Sequence, residues 1–528
     1  MLVNDFLQNG AERLPEKVAL ICDDRRLTYA QIEQRANRVA NGLLDLGVQQ
    51  GDRVAVWLPN SVETVIAIFA ILKAGATFVV LNPTTKPGKL TYVLNNCTAS
   101  ALFAPGRSSE EVTSLFEAIP SLHFAVLCGK GAIQAASGEP AASYDEASSH
   151  AAKTLGRTVA FPYLLETYPA TRPPCPTIDI DLACLIYTSG STGEPKGVMS
   201  THANVVFAAS SIIRYLENVP EDIVINVLPL SFDYGLYQLL MAFKFGGTLV
   251  LERSFTYPAA VLGRIEQEQV TGFPGVPTLF AMLLQMDLSR FDLSSLRYLT
   301  NTAAALPVEH IRRLREAFPW ARLYSMYGLT ECKRTLYLPP EELDRRPGSV
   351  GIAIPGTEVW IEDKNGERVG PGAVGELVVR GSHVMQGYWG APEETARRYR
   401  SGRYPAERIL QTGDLFKMDE EGFLYFVARK DDVIKSRGEK VAPKEVEGVL
   451  YQLPGVVEAA VVGVPDELLG QAIKAFIVCR DGHQLTDQDV LRHCAQHLED
   501  FMVPKHVEFR ESLPKTSSGK IRASALRE

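Results

Sequence analysis

Apolar residues at Ile32, Ala36, Val39, Ala40, Leu43 and Leu44 fall on one face of a 3.6-residue helix. Thr28 followed by Gln31 supplies a capping-box spacing before this helix, and Gly47 ends it. Val54–Leu58 is a continuous apolar run of strand length, Asn60 with Glu63 opens a second helix through Ala74, and Thr77–Leu81 is the next strand. Strand, helix, strand predicts a parallel crossover in a layered α/β domain. These apolar residues read as core, and no chemistry is assigned to them.

From about Pro105 to Pro176 the pattern weakens. Ala135–His150 is rich in Ala, Ser and Gly, and Tyr168–Pro176 is rich in proline, which predicts a variable surface connection. A second α/β unit follows, with strands expected at Ile225–Leu228, Gly247–Glu252, Leu296–Thr300 and Leu323–Ser325. Between about Pro355 and Tyr425 short alternating strands such as Glu358–Glu362 and Gly375–Arg380, separated by glycine turns, predict a small β unit. Beyond Arg429, strands at Val456–Gly463 and Ala472–Cys479 and a helix capped by Thr486 and Asp489 predict a separate α+β domain. The expected organisation is a large domain over residues 1–430 and a small one over residues 431–528.

Composition bounds the chemistry. A chain of 528 residues that is 46% hydrophobic and 22% charged can bury substantial cores, and a net charge of −8 argues against nucleic-acid binding. No uninterrupted apolar run nears the roughly 18 residues of a membrane span, and the N-terminal stretch lacks a basic region followed by an apolar core. The eight cysteines are scattered without CxxC pairing, so neither a zinc site nor a disulfide framework is expected. A reducing, cytoplasmic setting and small-molecule or protein partners fit this balance, with neither nucleic acid nor membrane among them.

The candidate chemistry centres on Tyr187-Thr188-Ser189-Gly190-Ser191-Thr192-Gly193-Glu194-Pro195-Lys196-Gly197, set after the apolar run Leu182–Ile186 and before a helix-like segment beginning near His202. Glycines let backbone N–H groups turn toward an anion, the hydroxyls add donors, and Lys196 adds a full positive charge. The pattern predicts a polyphosphate-binding loop; SGSTG alone would be an ordinary flexible surface loop. It departs from the Walker spacing, because Lys196 follows proline and no Ser/Thr comes after it.

At these residues the chain resembles the adenylate-forming superfamily: acyl- and aryl-CoA synthetases, adenylation domains of nonribosomal peptide synthesis, and firefly luciferase. Tyr327-Gly328-Leu329-Thr330-Glu331, Thr412-Gly413-Asp414, Ala428–Asp432 with Ile434–Gly438, and Pro514–Lys520 resemble that family's further motifs, in its order. The sequence departs at Ala428, where the family usually has glycine. The resemblance implies a large domain of layered α/β subdomains plus a small β unit, followed by a small mobile α+β domain. It implies ATP and Mg²⁺ as cofactors and an acyl-AMP intermediate.

The resemblance also implies roles. Thr188, Ser189, Gly190, Ser191, Thr192, Gly193 and Lys196 would hold the β- and γ-phosphates, Thr330 and Gly328 would lie beside them, and Glu331 would bind Mg²⁺. Tyr327 would stack on adenine near Ala303, and Asp414 and Arg429 would contact ribose. Lys520, in isolation an ordinary solvated lysine, would bridge the carboxylate and α-phosphate. The small domain would turn about Asp431, bringing Lys435 and Gly438 to the path along which a pantetheine thiol enters.

Phe232, Asp233 and Tyr237 fall where the family builds its acyl pocket. Phe-Asp resembles peptide-synthetase adenylation domains, in which that aspartate pairs with a substrate α-ammonium; Arg334 faces either the substrate or solvent. The leading expectation is therefore activation of an amino acid and its transfer to phosphopantetheine on a separate carrier protein, with an acyl- or aryl-CoA synthetase as the alternative. A luciferase-like later step and a non-catalytic nucleotide binder are further readings.

Overall fold

The computed structural model describes residues 1–129, 157–189, 195–404, 407–436, 439–466, 470–480, 482–483, 485–516 and 519–527. Contacts divide the chain into two compact units. The first comprises residues 1–256, 330–333 and 382–399, the second residues 257–329, 334–381 and 400–528.

In the first unit the predicted capping box is present: Gln31 N–H donates to Thr28 Oγ1 and Thr28 N–H to Gln31 Oε1, opening helix Tyr29–Asp45. Strands Arg53–Val56 and Thr77–Val80 pair in parallel across helix Val62–Lys73, as the strand–helix–strand pattern predicts. That helix is capped by Ser61 and not by Asn60. Asn60 is drawn elsewhere: its Nδ2 donates to the carbonyls of Leu228 (3.0 Å) and Glu252 (2.8 Å), and its Oδ1 accepts from Leu230 N–H (3.0 Å). Three long-range bonds outweigh one cap that the adjacent serine supplies equally well.

The stretch read as a surface connection is more ordered than its composition suggests. Helix Ser109–Ala118 and strands Phe124–Cys128 and Thr158–Ala160 extend a seven-stranded sheet whose order runs Thr158–Ala160, Phe124–Cys128, Ala99–Pro105, Arg53–Val56, Thr77–Val80, Leu182–Ser189, Pro195–Thr201. Phe124–Cys128 is buried throughout, because a strand covered on both faces carries no alternation that would announce it. Ala135–His150 lies outside the described residues. Elsewhere in this unit, Ile223–Asn226, Thr248–Leu251 and Val18–Cys22 are parallel neighbours, and Val18–Cys22 pairs antiparallel with Arg25–Thr28.

In the second unit Gly272–Gly275, Tyr298–Asn301 and Arg322–Leu329 run parallel. The first has the sequence Gly-Phe-Pro-Gly, which reads as a turn; neighbouring strands and full burial make it a strand. The small β unit is antiparallel, with Val374–Arg380 between Glu358–Glu362 and Arg408–Met418. Near the C-terminus Val456–Asp466 pairs antiparallel with Gly470–Cys479. Ala459 and Val461 pack into one core with Ile473, Ile477 and Val490, while Ala460 and Val462 pack on the other face with Phe476, Leu513 and Leu526. Thr486 and Asp489 form the predicted capping box before helix Asp487–His497. All eight cysteines are free thiols. Among the described residues no helix is long and apolar enough to cross a membrane.

Candidate active site

The loop expected to cradle phosphate joins two antiparallel strands, Leu182–Ser189 and Pro195–Thr201, with Thr188 opposite Lys196. A hairpin replaces the strand-to-helix turn suggested by the sequence. Helix His202–Leu216 begins only after the second strand, with its own capping box at Thr201 and Asn204. The helix terminus is thereby committed to local partners, and the loop has to supply its own donors. Gly190, Ser191, Thr192 and Gly193 lie outside the described residues, and Ser189 is described only as the end of its strand.

Lys196 projects from the second strand. It pairs with Glu394, and its Nζ stands 5.8 Å from the Tyr388 ring centroid. Burial lowers its pKa, Arg398 and Arg397 lower it further, and Glu331 opposes them. Tyr388 donates a 2.6 Å hydrogen bond to Glu331 Oε1, and burial, then the Glu331 charge, raises the pKa of the phenol. The segment bearing Tyr388 is fastened to the hairpin: Met199 N–H donates to Gly387 O (2.9 Å) and Trp389 N–H to Gly197 O (2.8 Å). Lys196, Glu331, Tyr388, Glu394, Arg397 and Arg398 therefore form one cluster within the first unit. Sequence reasoning found the first two. The other four lie in a segment without a phosphate-like pattern, and only the backbone pairing brings them to the lysine.

A single carboxylate is a suitable donor for Mg²⁺, which is commonly held by one or two carboxylates together with substrate phosphates. Glu331 fits that description. Among the described residues no three Asp, Glu, His or Cys side chains gather closely enough to hold a metal by themselves.

Asp233 is the first residue of helix Asp233–Phe245, after Phe232, and remains partly exposed. Tyr237, one turn on, is buried. Lys333, in the segment Cys332-Lys333-Arg334-Thr335 and given no role by the sequence reading, is also buried, with its Nζ 5.6 Å from the Tyr237 ring centroid. Arg334, whose direction the sequence left open, is buried and does not reach solvent.

The second unit assembles a different group. Tyr327 donates to Asp414 Oδ2 at 2.7 Å, and Arg429 Nε stands 3.5 Å from Asp414 Oδ1. Asp414 and Arg429 are paired residues of adjacent antiparallel strands, Arg408–Met418 and Leu424–Arg429, so the ladder itself fixes their spacing. The Tyr327 ring packs against Phe416, with centroids 4.9 Å apart, and against Phe426 at 6.5 Å. Ala303 has φ +75, a left-handed conformation that keeps its backbone turned in a way few non-glycine residues adopt.

Lys520 belongs to this second group. Burial pushes its pKa down to about 8; Arg429 and Lys444 add to the depression, while Asp414 and Asp432 oppose it. Its loop is held by Thr278, whose hydroxyl donates to Gly519 O at 3.0 Å, and by Thr516, whose N–H donates to Lys520 O at 2.7 Å. Gly519 has φ +80, and a Cβ there would come within 3.1 Å of Thr278 Oγ1, so glycine is required at this approach. Asp431 is exposed in the turn between Leu424–Arg429 and Ile434–Ser436. Gly438 and the Lys435 side chain lie outside the described residues.

The model of the AMP-binding enzyme family matches residues 7–389, and that of the AMP-binding enzyme C-terminal domain matches residues 445–520. A long-chain-fatty-acid–CoA ligase of Bacillus subtilis is 33% identical over 98% of this chain and 93% of its own length. A feruloyl-CoA synthase of an Amycolatopsis species is 34% identical over 98% of this chain and 96% of its own. The crystal structure of an anthranilate CoA ligase in complex with anthranoyl-AMP superposes with a TM-score of 0.89 at 28% identity, covering 100% of this chain and 96% of that one. The chain belongs to the AMP-binding enzymes of the adenylate-forming superfamily and is an AMP-forming acid–thiol ligase.

Proposed function

We propose that this protein is an acyl- or aryl-CoA synthetase. A carboxylate oxygen attacks the α-phosphorus of ATP and the bond to pyrophosphate breaks; the CoA thiol then attacks the acyl carbon, its proton is lost, and AMP leaves. The observation that carries the first step is the Tyr327–Asp414–Arg429 group with Lys520 in its electrostatic field. An aromatic face, a carboxylate able to accept hydrogen bonds from two hydroxyls, a guanidinium fork and a lysine are the groups that a nucleoside and an α-phosphate require. In this reading Tyr327 and Ala303 border adenine, Asp414 and Arg429 hold ribose, and Lys520 donates to the carboxylate and α-phosphate. Lys196, Thr188, Thr330 and the hairpin loop hold the outer phosphates. Glu331 would hold Mg²⁺, which neutralises phosphate charge when bound.

CoA is favoured over a carrier protein by the names of the relatives, two CoA ligases and a CoA synthase. Amino-acid activation rested on Asp233 pairing with a substrate ammonium. Lys333 weakens that expectation: its Nζ stands 5.6 Å from the Tyr237 ring, one turn along the helix that Asp233 begins, so this helix already has a cation beside it. For the second step we propose that the segment from residue 431 to 528 turns about Asp431 and that Lys435 and Gly438 border the thiol path.

ATP–pyrophosphate exchange across fatty, aryl, hydroxy and amino acids, followed by mass detection of thioester with CoA or with a phosphopantetheinylated carrier, tests this reading. Exchange with an acid and formation of its CoA thioester is the expected result. Exchange with one amino acid, thioester on the carrier alone, and loss of that exchange in Asp233→Ala would overturn it.

A further inference from the structure

Lys333 is a buried cation that the adenylation chemistry does not use. It is 1% exposed, begins strand Lys333–Leu338 with φ +53, and its Nζ has no hydrogen-bond partner among the described residues. Its ammonium instead stands 5.6 Å from the ring centroid of Tyr237, itself buried on helix Asp233–Phe245. A ring face returns only part of what an ammonium loses on leaving water, and its three donors remain to be used. Asp233, at the start of the same helix, accepts no hydrogen bond from Lys333. A cation kept for packing is handled differently in this same unit: Lys73, equally buried, donates to Glu33 at 2.7 Å.

Lys333 also lies two residues after Glu331 and faces the helix that carries Phe232-Asp233-Tyr234 at its start. In the chain it follows the residue proposed to hold Mg²⁺, and in space it stands against the helix assigned to the acid's tail. We propose that Lys333 is a specificity-determining residue whose ammonium receives an oxygen acceptor on the tail of the acid, so that the preferred substrates are acids ending in a carboxylate, phenol or ketone oxygen. This rests on the acid-activating reading above and names its substrate class. A purely aliphatic tail would leave the ammonium without an acceptor, which is where a site built to hydrogen-bond discriminates most strongly.

Matched acid pairs test it: hexanoate against adipate, cinnamate against 4-hydroxycinnamate, and an alkanoate against its 4-oxo counterpart of equal length. ATP–pyrophosphate exchange gives kcat/KM for each with wild type, Lys333→Met and Lys333→Arg. Wild type is expected to favour the acceptor-bearing member of at least one pair by about ten-fold or more. Lys333→Met is expected to erase that preference, and Lys333→Arg to retain part of it. Preference for the plain acid in every pair, or a preference unchanged by Lys333→Met, would overturn the proposal. A retained ATP-induced rise in Tm shows that Lys333→Met is folded; if it does not fold, Lys333→Gln and the wild-type pairs decide. Exchange with acceptor-bearing acids without CoA thioester would sink the CoA reading and leave this inference standing. CoA thioesters of plain acids, made equally well by Lys333→Met, would do the reverse.

Discussion

Tyr327 donates a 2.7 Å hydrogen bond to Asp414, which lies 87 residues further along the chain and is almost wholly buried. The bond joins the residue expected beside adenine to the residue expected on ribose. It aims the Asp414 carboxylate while Arg429 approaches its other oxygen.

Tyr327→Phe keeps the ring packing on Phe416 and removes only the donor. It is expected to raise the KM for ATP by about ten-fold or more, since one hydrogen bond to a charged group is worth about 1.5–3 kcal/mol. A KM unchanged in the exchange assay would show that Arg429 alone orients Asp414.

Lys520 should separate the two half reactions. Lys520→Ala is expected to lower adenylation by about 10²–10³ while sparing thioester formation from a supplied acyl-adenylate. Equal loss of both steps in single-turnover assays would contradict its assignment.

The Lys520 pKa of about 8 lies below the ordinary lysine value of 10.5. The folded protein therefore releases this proton earlier than the unfolded chain, and the ammonium is progressively lost as pH rises through 8. Labelling of Lys520 by an amine-selective reagent, followed by peptide mass spectrometry, should show a midpoint near pH 8 without ATP. Bound triphosphate should move the midpoint upward by stabilising the charged form. A midpoint near 10.5 without ATP would refute the depressed value.

Glu394 pairs with Lys196, the lysine proposed to hold the outer phosphates. Glu394→Gln is expected to lower the KM for ATP by about two- to five-fold, since a partly exposed pair is worth up to about 1 kcal/mol. A raised KM would mean that Glu394 positions Lys196 for the nucleotide and does not compete with it.

Asn60 connects three backbone groups of the first unit. Asn60→Ala removes three hydrogen bonds to backbone groups, of which Leu228 O still accepts from Asn226 Nδ2, and should cost about 1–3 kcal/mol, read as a lower denaturant midpoint with unchanged slope. Ser61→Ala, which removes the cap of helix Val62–Lys73, should cost about 1 kcal/mol.

The sequence by itself determined the elements whose signals are local. The capping boxes at Thr28 and Thr486 need only residues three apart, and parallel crossovers follow from strand and helix periods. It also carried the motifs that pointed to adenylate chemistry, because backbone turns and charges at fixed spacing are written in consecutive residues. Tertiary structure alone decided what depends on distant partners. Asn60 left its expected cap for three remote backbone groups, Gly272–Gly275 became a strand through its neighbours, and Tyr388 and Glu394 joined a cluster that no local pattern marks. The physical reason is common to all three cases. Burial makes an unpaired polar group costly, and the partner that relieves the cost is chosen by proximity in space, which one-dimensional spacing does not encode.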